Sequence, residues 1–215
     1  MQSDEKKTRV LRTRDKGSRP AEELDEELWV KEIEGVSDRS AAILVASQVD
    51  EVLGGLIESN LEKKSEATLR ALYGSGGALS TFYAKIHLGY AMGFYDEETR
   101  DDLEVIRRVR NVFAHAHRPI DFKATKVAKE CRKFKIINDQ NHPMAKTLDW
   151  TSYRNPGNLD RDSFVMTALS LSIYFAATSV RLLNKELKEL KRLKMVLSSR
   201  GSGVSSAGGG RNRRR

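Results

Sequence analysis

The stretch DDLEVIRRVRNVFAHAHR, from Asp101 to Arg118, has the periodicity of an amphipathic α-helix. At about 100° per residue, apolar side chains cover an arc of about 180°, and they are Leu103, Val105, Ile106, Val109, Val112, Phe113 and Ala116. The opposite side is a narrow polar wedge of Glu104, Arg107, Arg108, Asn111 and His115. So wide an apolar arc predicts a largely buried helix, with its polar wedge facing a cleft or a partner.

Arg110 falls inside this apolar arc, between Ile106 and Phe113. A buried guanidinium costs free energy unless it is paired and hydrogen-bonded. Two explanations remain open. Arg110 either snorkels or pairs with a carboxylate such as Asp50 or Glu51, which would be a structural role, or its charge is held there for a phosphate or another anion.

Apolar periodicity predicts further helices, and no segment has the sustained alternation of a β-strand. The predicted helices span residues 21–33, 39–61, 78–92, 97–116 and 162–197. Asp38 is the expected N-cap of the second helix, Gly93 the expected end of the third, and Asp96 the expected start of the fourth. The sequence therefore predicts an all-α fold, a helical bundle with a long C-terminal helix.

The helix 162–197 follows a stretch without periodicity at 139–161, which we expect to be a long loop. Its first 18 residues from Ser163, up to Val180, carry no formal charge, which is the lower length limit of a membrane span. Six of them are Ser or Thr, and the helix continues into an amphipathic part. We therefore expect a helix buried in protein, with no membrane contact.

Apolar residues of this helix recur in alternating steps of four and three, the heptad pattern of a coiled coil. This heptad stripe consists of Leu169, Ile173, Ala176, Val180, Leu183, Leu187 and Leu190. Two uses of the stripe remain open: the helix packs antiparallel inside the bundle, or its protruding C-terminal part forms a dimeric coiled coil.

The net charge of +8 divides unevenly along the chain. Residues 1–20 carry +4 and residues 198–215 carry +5, so the body, residues 21–197, carries −1. We expect a disordered basic arm at 1–20, a helical domain at 21–197 and a flexible Gly/Ser/Arg-rich tail at 198–215. The candidate nucleic-acid contacts of this tail are Arg211, Arg213, Arg214 and Arg215.

Six cations follow the central helix within a short stretch, and they are Lys123, Lys126, Lys129, Arg132, Lys133 and Lys135. They form either a solvated helix face or an anion-binding patch beside the central helix. In the second case, the candidate anion-binding or partner-binding residues are Arg107, Arg108, Lys126, Lys129 and Arg132.

Several kinds of chemistry are excluded by composition and spacing. Cys131 is the single cysteine, which excludes an internal disulfide and a cysteine-based zinc site and fits a reducing cytoplasm. His115 and His117 have no third metal ligand nearby, and the glycine-rich run at 74–77 lacks the Gly-Lys-Ser/Thr of a phosphate-binding loop. Since the N-terminus also lacks the apolar segment of a secretory signal, we expect a cytoplasmic protein without metal or cofactor.

The motif Arg110-Asn111-x-x-x-His115 resembles the R-N-x-x-x-H signature of the HEPN superfamily of helical nucleases and nucleotide binders. Longer stretches resemble the mannitol operon repressor (MtlR) family in the order of that family, and they are residues 38–53, 77–94, 102–116 and 161–169. The basic N-terminal arm, the extended heptad stripe and the Gly/Arg tail are not features of that family. The MtlR resemblance implies an all-helical bundle and a role in regulating sugar-alcohol genes.

The sequence contains no recognisable helix-turn-helix, and a near-neutral body is a poor surface for duplex DNA. We therefore expect a homodimeric regulatory binding protein, a repressor that acts through a protein partner, rather than an enzyme. A second alternative is a helical adaptor that its basic termini recruit to nucleic acid.

The HEPN resemblance implies the main alternative, a metal-independent ribonuclease that acts as a toxin. In that role His115 would be the general acid or base, Arg110 would stabilise the phosphorane charge, and Asn111 would position one of them. On an ideal helix Arg110 and His115 lie about 140° apart. They would therefore converge only if the helix ends or distorts near Phe113, or if a second subunit completes the site.

Overall fold

The computed structural model describes residues 32–33, 35–139, 142 and 157–201, with side chains up to residue 195 in the last helix. This part of the chain is helical and contains no strand. Its main helices are α1 (Asp38–Ser59), α2 (Glu66–Tyr73), α3 (Phe82–Ala91), α4 (Glu97–His115), α5 (Thr125–Cys131) and α6 (Leu159–Gly201). The predicted all-α bundle with a long C-terminal helix is confirmed. The arm at 1–20, most of the predicted helix 21–33 and the tail arginines lie outside the described residues.

Short polar side chains begin four of these helices. Ser37, Ser65, Thr81 and Asp96 each accept a hydrogen bond from a backbone N–H three residues later. The prediction for Asp96 is confirmed, but the prediction that Asp38 caps α1 is wrong, because Ser37 takes that position. Asp38 is thereby left to bind other segments.

The glycine positions follow the sequence prediction at the two ends of α3. The run at 74–77 forms the turn before α3, which delays the start of this helix to Phe82 rather than residue 78. Gly93 follows the end of α3 with φ of 72°, a left-handed conformation that favours glycine.

Helix α4 lies at the centre, antiparallel to both α3 and α1. Tyr90 near the end of α3 lies over Arg100 near the start of α4, at 4.9 Å from ring centroid to guanidinium carbon, and Tyr83 lies over Arg107 at 5.2 Å. Arg39 in the first turn of α1 donates to the carbonyl of residue 116, just beyond α4 (2.6 Å). The end of α4 and the start of α1 therefore meet at one end of the bundle.

Helix α6 runs antiparallel to α4 and parallel to α1. Phe122, which follows α4, stacks between Phe113 of α4 and Phe164 of α6, with ring centroids 4.9 Å and 5.4 Å away. At the other end of the bundle, Tyr95 before α4 packs against Phe175 of α6 (5.4 Å). These aromatic contacts join α4 and α6 at both ends of the core.

One ion pair joins the first turns of α1 and α6. Arg161 Nη1 donates to Asp38 Oδ1 (2.7 Å), and Arg161 Nη2 donates to the carbonyls of Ile33 (2.6 Å) and Val36 (3.1 Å). The second oxygen of Asp38 accepts from the backbone N–H of Phe122 (3.0 Å). We call this set of contacts the Asp38–Arg161 junction; it ties four segments of the chain together.

The face of α6 that packs in the bundle is different from the heptad stripe. Phe164, Ala168, Leu171 and Phe175 are fully buried on that face, and the C-terminal part of the heptad stripe lies about 110° around the helix from it. Helix α6 packs most extensively against α1, to which it is parallel, and less extensively against α4, to which it is antiparallel. The antiparallel packing is therefore found only in part, and of the heptad stripe it is Leu169 that is buried in the core.

The heptad stripe is buried only at its start. Leu169 is buried, Ile173 and Ala176 are half-buried, and the stripe is exposed from Val180 onward. The N-termini of α1 and α6 meet and α1 has 22 residues, so α1 ends about level with residue 182 of α6. Beyond that level α6 projects from the bundle.

Two helices are long and apolar enough to cross a membrane by length and composition alone. They are α1 and the part of α6 at 159–195, and 50% and 61% of their apolar windows are buried inside the protein. Buried core helices of soluble proteins pass the same test, so length and composition here are weak evidence for a membrane span. The burial of residues 164–172 agrees with the predicted packing inside protein.

Asp102 is a buried carboxylate on α4. Its two oxygens accept hydrogen bonds from the backbone N–H groups of Lys135 (2.8 Å) and Ile136 (3.0 Å), which fixes the segment after α5 against α4. Burial raises the pKa of Asp102 to about 6, although these hydrogen bonds act in the opposite direction.

The raised pKa of Asp102 predicts a pH dependence of stability that Asp102→Asn removes. The carboxyl has an unperturbed pKa of 3.8 and a folded pKa of about 6. The folded state therefore binds more protons between these values, and stability falls as the pH rises through this window. Relative to the variant, the wild-type free energy of unfolding should decrease by at most about 3 kcal/mol over this window and stay level above it.

Urea denaturation at a series of pH values measures this difference. Asp101→Asn is the control, because a hydrogen bond from Lys135 holds the pKa of Asp101 below its usual value. For Asp101→Asn, the difference in the free energy of unfolding between wild type and variant should instead be lost as the pH falls. A difference for Asp102→Asn that is constant or that grows with pH contradicts the assignment.

Candidate binding face on helices α3 and α4

Arg110 is exposed, although the helical projection places it inside the apolar arc. The expected pairing with Asp50 is not found, because Asp50 accepts a hydrogen bond from Lys85 of α3 (2.6 Å). Arg110 is exposed because α3 does not extend far enough to cover it. This helix begins at Phe82, with Tyr83 opposite Arg107, so the last two turns of α4 extend past it and position 110 is not covered.

The motif residues Arg110, Asn111 and His115 share the end of α4 without converging. Arg110 Nη1 donates to Asn111 Oδ1 (3.1 Å), while His115 is exposed in the last turn. The helix stays continuous through Phe113 to His115, so Arg110 and His115 remain on different sides of α4. Within the described part of this one chain, the distortion that would bring them together is not found.

Arg107 and Arg108 are engaged with carboxylates of the protein itself. Arg107 donates to Glu104 (2.8 Å to Oε2), which also lies 3.6 Å from Arg108 Nη1. Arg108 Nε donates to Glu130 of α5 (2.8 Å), and Glu130 also pairs with Lys133. These carboxylates neutralise the two guanidiniums and make them a poor site for a free anion.

Glu130 is held in its charged form by these contacts. Burial alone would raise its pKa, but hydrogen bonds from Lys133 and Arg108 hold the pKa of Glu130 below its usual value. A negative charge at this point, between the end of α4 and the basic run, further disfavours an anion site there.

The basic run after α4 is not one helix face, because α5 contains only Thr125–Cys131. Lys126 and Lys129 are exposed on one side of α5, opposite its buried Val127, Ala128 and Cys131. Arg132 follows the helix, is 75% exposed at its side chain and lies 3.8 Å from Asp160 of α6. Of the two alternatives, a solvated surface describes these residues better than a built anion site.

Exposed aromatic rings of α3 lie beside charged side chains of α4. Tyr83, His87 and Tyr90 lie one helical turn apart along α3 and are all exposed. Arg107 lies over Tyr83 (5.2 Å) and Arg100 over Tyr90 (4.9 Å). We call these five residues, together with Glu104, the α3–α4 ladder.

His87 lies between the two stacked pairs, Arg107 with Tyr83 and Arg100 with Tyr90. Its ring lies 4.3 Å from that of Tyr83, and its Nε2 lies 3.6 Å from Glu104 Oε1. The wedge residues Glu104 and Arg107, whose side chains are 15% and 26% exposed, therefore face α3 and lie beside a row of aromatic rings.

Sequence reasoning missed the α3 half of this ladder. The signal was present in FYAKIHLGY (residues 82–90), where rings at 83, 87 and 90 fall on one side of a helix. Arg107 was among the predicted residues, but its stacking on Tyr83 depends on the pairing of α3 with α4. A single-helix projection does not contain that pairing.

The described residues provide no metal site at this face, and the one cysteine of the chain lies elsewhere, buried on α5. Burial raises the pKa of the Cys131 thiol to about 12, with Asp160 and Glu130 acting in the same direction, so the thiol is protonated at neutral pH. Within the described ranges no group of three or more His, Cys, Asp or Glu residues could hold a metal ion. What the ladder offers is a surface of aromatic rings and paired charges.

Comparison of the chain with protein-family models, with curated proteins and with solved structures gave no match.

The exposure of Arg110 predicts that Arg110→Ala leaves stability nearly unchanged. We expect a change in the free energy of unfolding within about 0.5 kcal/mol, because surface substitutions outside special contacts have effects of this size. Arg39→Ala is the matched control. Arg39 donates to the carbonyls of residues 116 (2.6 Å) and 118 (3.2 Å), so its loss should cost about 1 to 2 kcal/mol.

Chemical denaturation of both variants beside the wild type measures these values. If Arg110→Ala destabilises the protein as much as Arg39→Ala does, Arg110 has the structural role that the first explanation gave it.

Proposed function

We propose that this protein is a regulatory binding protein, resembling the mannitol operon repressors, that acts through a protein partner bound at the α3–α4 ladder. The observation that carries the proposal is the row of exposed rings on α3 held against charged side chains of α4. Tyr83 is 53% exposed and Tyr90 37% exposed. Both rings therefore keep a large part of their surface accessible to a partner.

The composition of the ladder suits a protein partner. Tyrosine and arginine are enriched among the residues that contribute most to protein–protein affinity. The stacking of Arg107 on Tyr83 and of Arg100 on Tyr90 restrains all four side chains before a partner binds. Less conformational entropy is then lost on binding, which increases affinity.

A protein partner is also supported over direct reading of duplex DNA. A helix-turn-helix joins its two helices by about three or four residues. Among the described helices the shortest connection, between α3 and α4, spans residues 92–96. The arginines of the ladder are paired with Glu97, Asp101 and Glu104, whereas affinity for a duplex needs unpaired basic groups.

Transcript profiling in cells that lack the chain tests the regulatory function. Re-expression of the wild type should restore a defined set of transcripts, among them genes for sugar-alcohol use. The double variant Tyr83→Ala/Tyr90→Ala should fail to restore that set, because it removes the exposed rings. Arg70→Ala is the control, since Arg70 forms an exposed ion pair on α2, away from the ladder, and it should restore transcripts fully.

Circular dichroism of the purified variants checks that all three fold to the same extent. Full complementation by the double variant contradicts the role of the ladder. If no transcript responds to the wild type itself, the regulatory function is wrong.

A second candidate function, metal-independent RNA cleavage, is favoured by one observation. Arg110 and His115 are exposed, and Asn111 is half-buried. Apart from the contact between Arg110 and Asn111, the structure gives the side chains of Arg110 and Asn111 no hydrogen bond with the rest of the described chain. Such residues are free to act on a substrate, although a second subunit would have to complete the site.

Incubation of the protein with total RNA in EDTA separates this candidate from the first. On the regulatory proposal neither the wild type nor His115→Ala cleaves RNA. Cleavage by the wild type that His115→Ala abolishes would establish the nuclease instead, since the histidine is the general acid or base in that mechanism. Equal cleavage by both proteins would indicate a contaminating nuclease.

A further inference from the structure

The projecting part of α6 carries an apolar surface that nothing else in the described chain covers. Val180, Leu183, Leu187 and Leu190 are 49%, 48%, 53% and 56% exposed. They are the C-terminal four members of the heptad stripe, and they form a continuous row along the helix. A row of this kind on an exposed helix marks an interaction surface.

We propose that a second copy of this chain covers this row, through a parallel two-stranded coiled coil of the two α6 helices. In the heptad register, Val180 and Leu187 occupy a positions, and Leu183 and Leu190 occupy d positions. Val180 at a with leucine at both d positions is the combination that favours two parallel strands, and the second a residue, Leu187, is not β-branched. Lys194 occupies the next a position, and a single polar residue at a fixes the register at some cost in stability.

The charges beside the row support the same arrangement. Glu186 occupies a g position, and Lys191 occupies the following e position. In a parallel coiled coil the g residue of one helix faces the following e residue of the other, so Glu186 of each chain faces Lys191 of its partner. Both side chains are exposed, and neither forms an ion pair with another described residue.

An antiparallel pairing would not use these charges. With the row aligned on itself, e positions face e positions and g positions face g positions. Val180 of one chain then lies opposite Leu190 of the other, and Leu183 lies opposite Leu187. The nearest pair of g residues is Glu186 with Glu186, which repel one another, and Lys191 has no acidic residue opposite it. The pattern therefore distinguishes the two orientations and favours the parallel one.

The bundle leaves room for a second helix on this side of α6. Helix α1 ends about level with residue 182 of α6, and all four members of the row are about half exposed. Their mean direction lies about 110° around the helix from the core-facing residues Phe164, Ala168, Leu171 and Phe175. A partner helix on the row therefore does not displace α1 or α4. Only about two heptads are free, so the dimer should be weak and its population should depend on protein concentration.

Sedimentation velocity over about a hundredfold range of concentration tests the association. The full-length wild type should shift from monomer to dimer, and Leu187→Asp should remain monomeric throughout. Lys188→Asp is the matched control, since Lys188 is exposed at an outward b position, and it should associate like the wild type. A wild type that stays monomeric, or a Leu187→Asp variant that still associates, overturns the proposal.

The variants are expected to fold, because the substituted side chains are exposed in the single chain. Equal helical content and equal melting temperature at a concentration where the wild type is monomeric check this. Loss of helical content in Leu187→Asp would shift the test to Leu183→Asp and Leu190→Asp, of which at least one must fold and lose association for the proposal to stand.

Charge reversal tests the pairing of the flanking residues. Glu186→Lys and Lys191→Glu should each weaken dimerisation by about threefold to tenfold, because each replaces two attractive pairs with two repulsive ones. The double variant should recover the wild-type dissociation constant. If it fails to recover, Glu186 and Lys191 do not face one another across the interface.

Cysteine cross-linking tests the orientation. Leu183→Cys should form a disulfide-linked dimer under mild oxidation, since equivalent d positions face one another only in the parallel arrangement. Cys131 is buried and does not compete. Cross-linking only in a mixture of Leu183→Cys with Leu187→Cys would show an antiparallel dimer and overturn the parallel assignment. All these outcomes are independent of the ladder, so their failure and that of the proposed function are distinguishable.

Discussion

The arrangement of the bundle depends on the contact between Asp38 and Arg161. Each residue lies in the first turn of a long helix, and their side chains are 15% and 18% exposed. Arg161 also binds the carbonyls of Ile33 and Val36, and Asp38 also binds the backbone N–H of Phe122. Partly buried charges of this kind are stable only when their hydrogen bonds are satisfied. The junction meets this condition by drawing four chain segments to one point.

The faces available for binding follow from that junction. Because α1 and α6 start together, the longer α6 projects beyond the end of α1, and the C-terminal part of the heptad stripe is exposed. At the opposite end of the bundle, where α4 ends beside the start of α1, α4 continues past the start of α3, which leaves Arg110 exposed. The projecting row of α6 and the exposure of Arg110 therefore both result from differences in helix length. The ladder presents rings and paired charges, while the projecting helix presents leucines and a charge pattern that complements itself.

The fold class was predictable from the sequence, and the packing of its helices was not. Periodicity placed α1, α4 and α6 and the turn at Gly93, because each of these signals is local. The two short helices were missed or only partly seen, since α2 buries no residue and α5 has seven residues. The heptad stripe was recognised, but the sequence did not decide whether it is buried or exposed. In the structure most of the stripe is exposed, because a second apolar face that contains Phe164 and Phe175 packs in the core.

The candidate site also depends on the packing of helices, which the sequence did not predict. A helical projection placed Arg110 among apolar neighbours, although solvent reaches it because the neighbouring helix starts too late to cover it. The wedge residues Arg107 and Glu104 were predicted to face a cleft or a partner, and in the structure they lie against α3, 26% and 15% exposed. Their partners Tyr83 and His87 come from another helix, and no projection of one helix could supply them. Residues that share a face were predictable, and residues that meet across two helices were not.

A double-mutant cycle on Asp38 and Arg161 tests this dependence most directly. The free energy of unfolding is measured for Asp38→Ala, Arg161→Ala and the double variant by chemical denaturation. Each single change leaves buried partners unsatisfied and should cost about 2 to 4 kcal/mol, with a coupling energy of about 1 to 3 kcal/mol between them. Single variants that lose less than about 0.5 kcal/mol, with no measurable coupling, would show that the bundle is held together elsewhere.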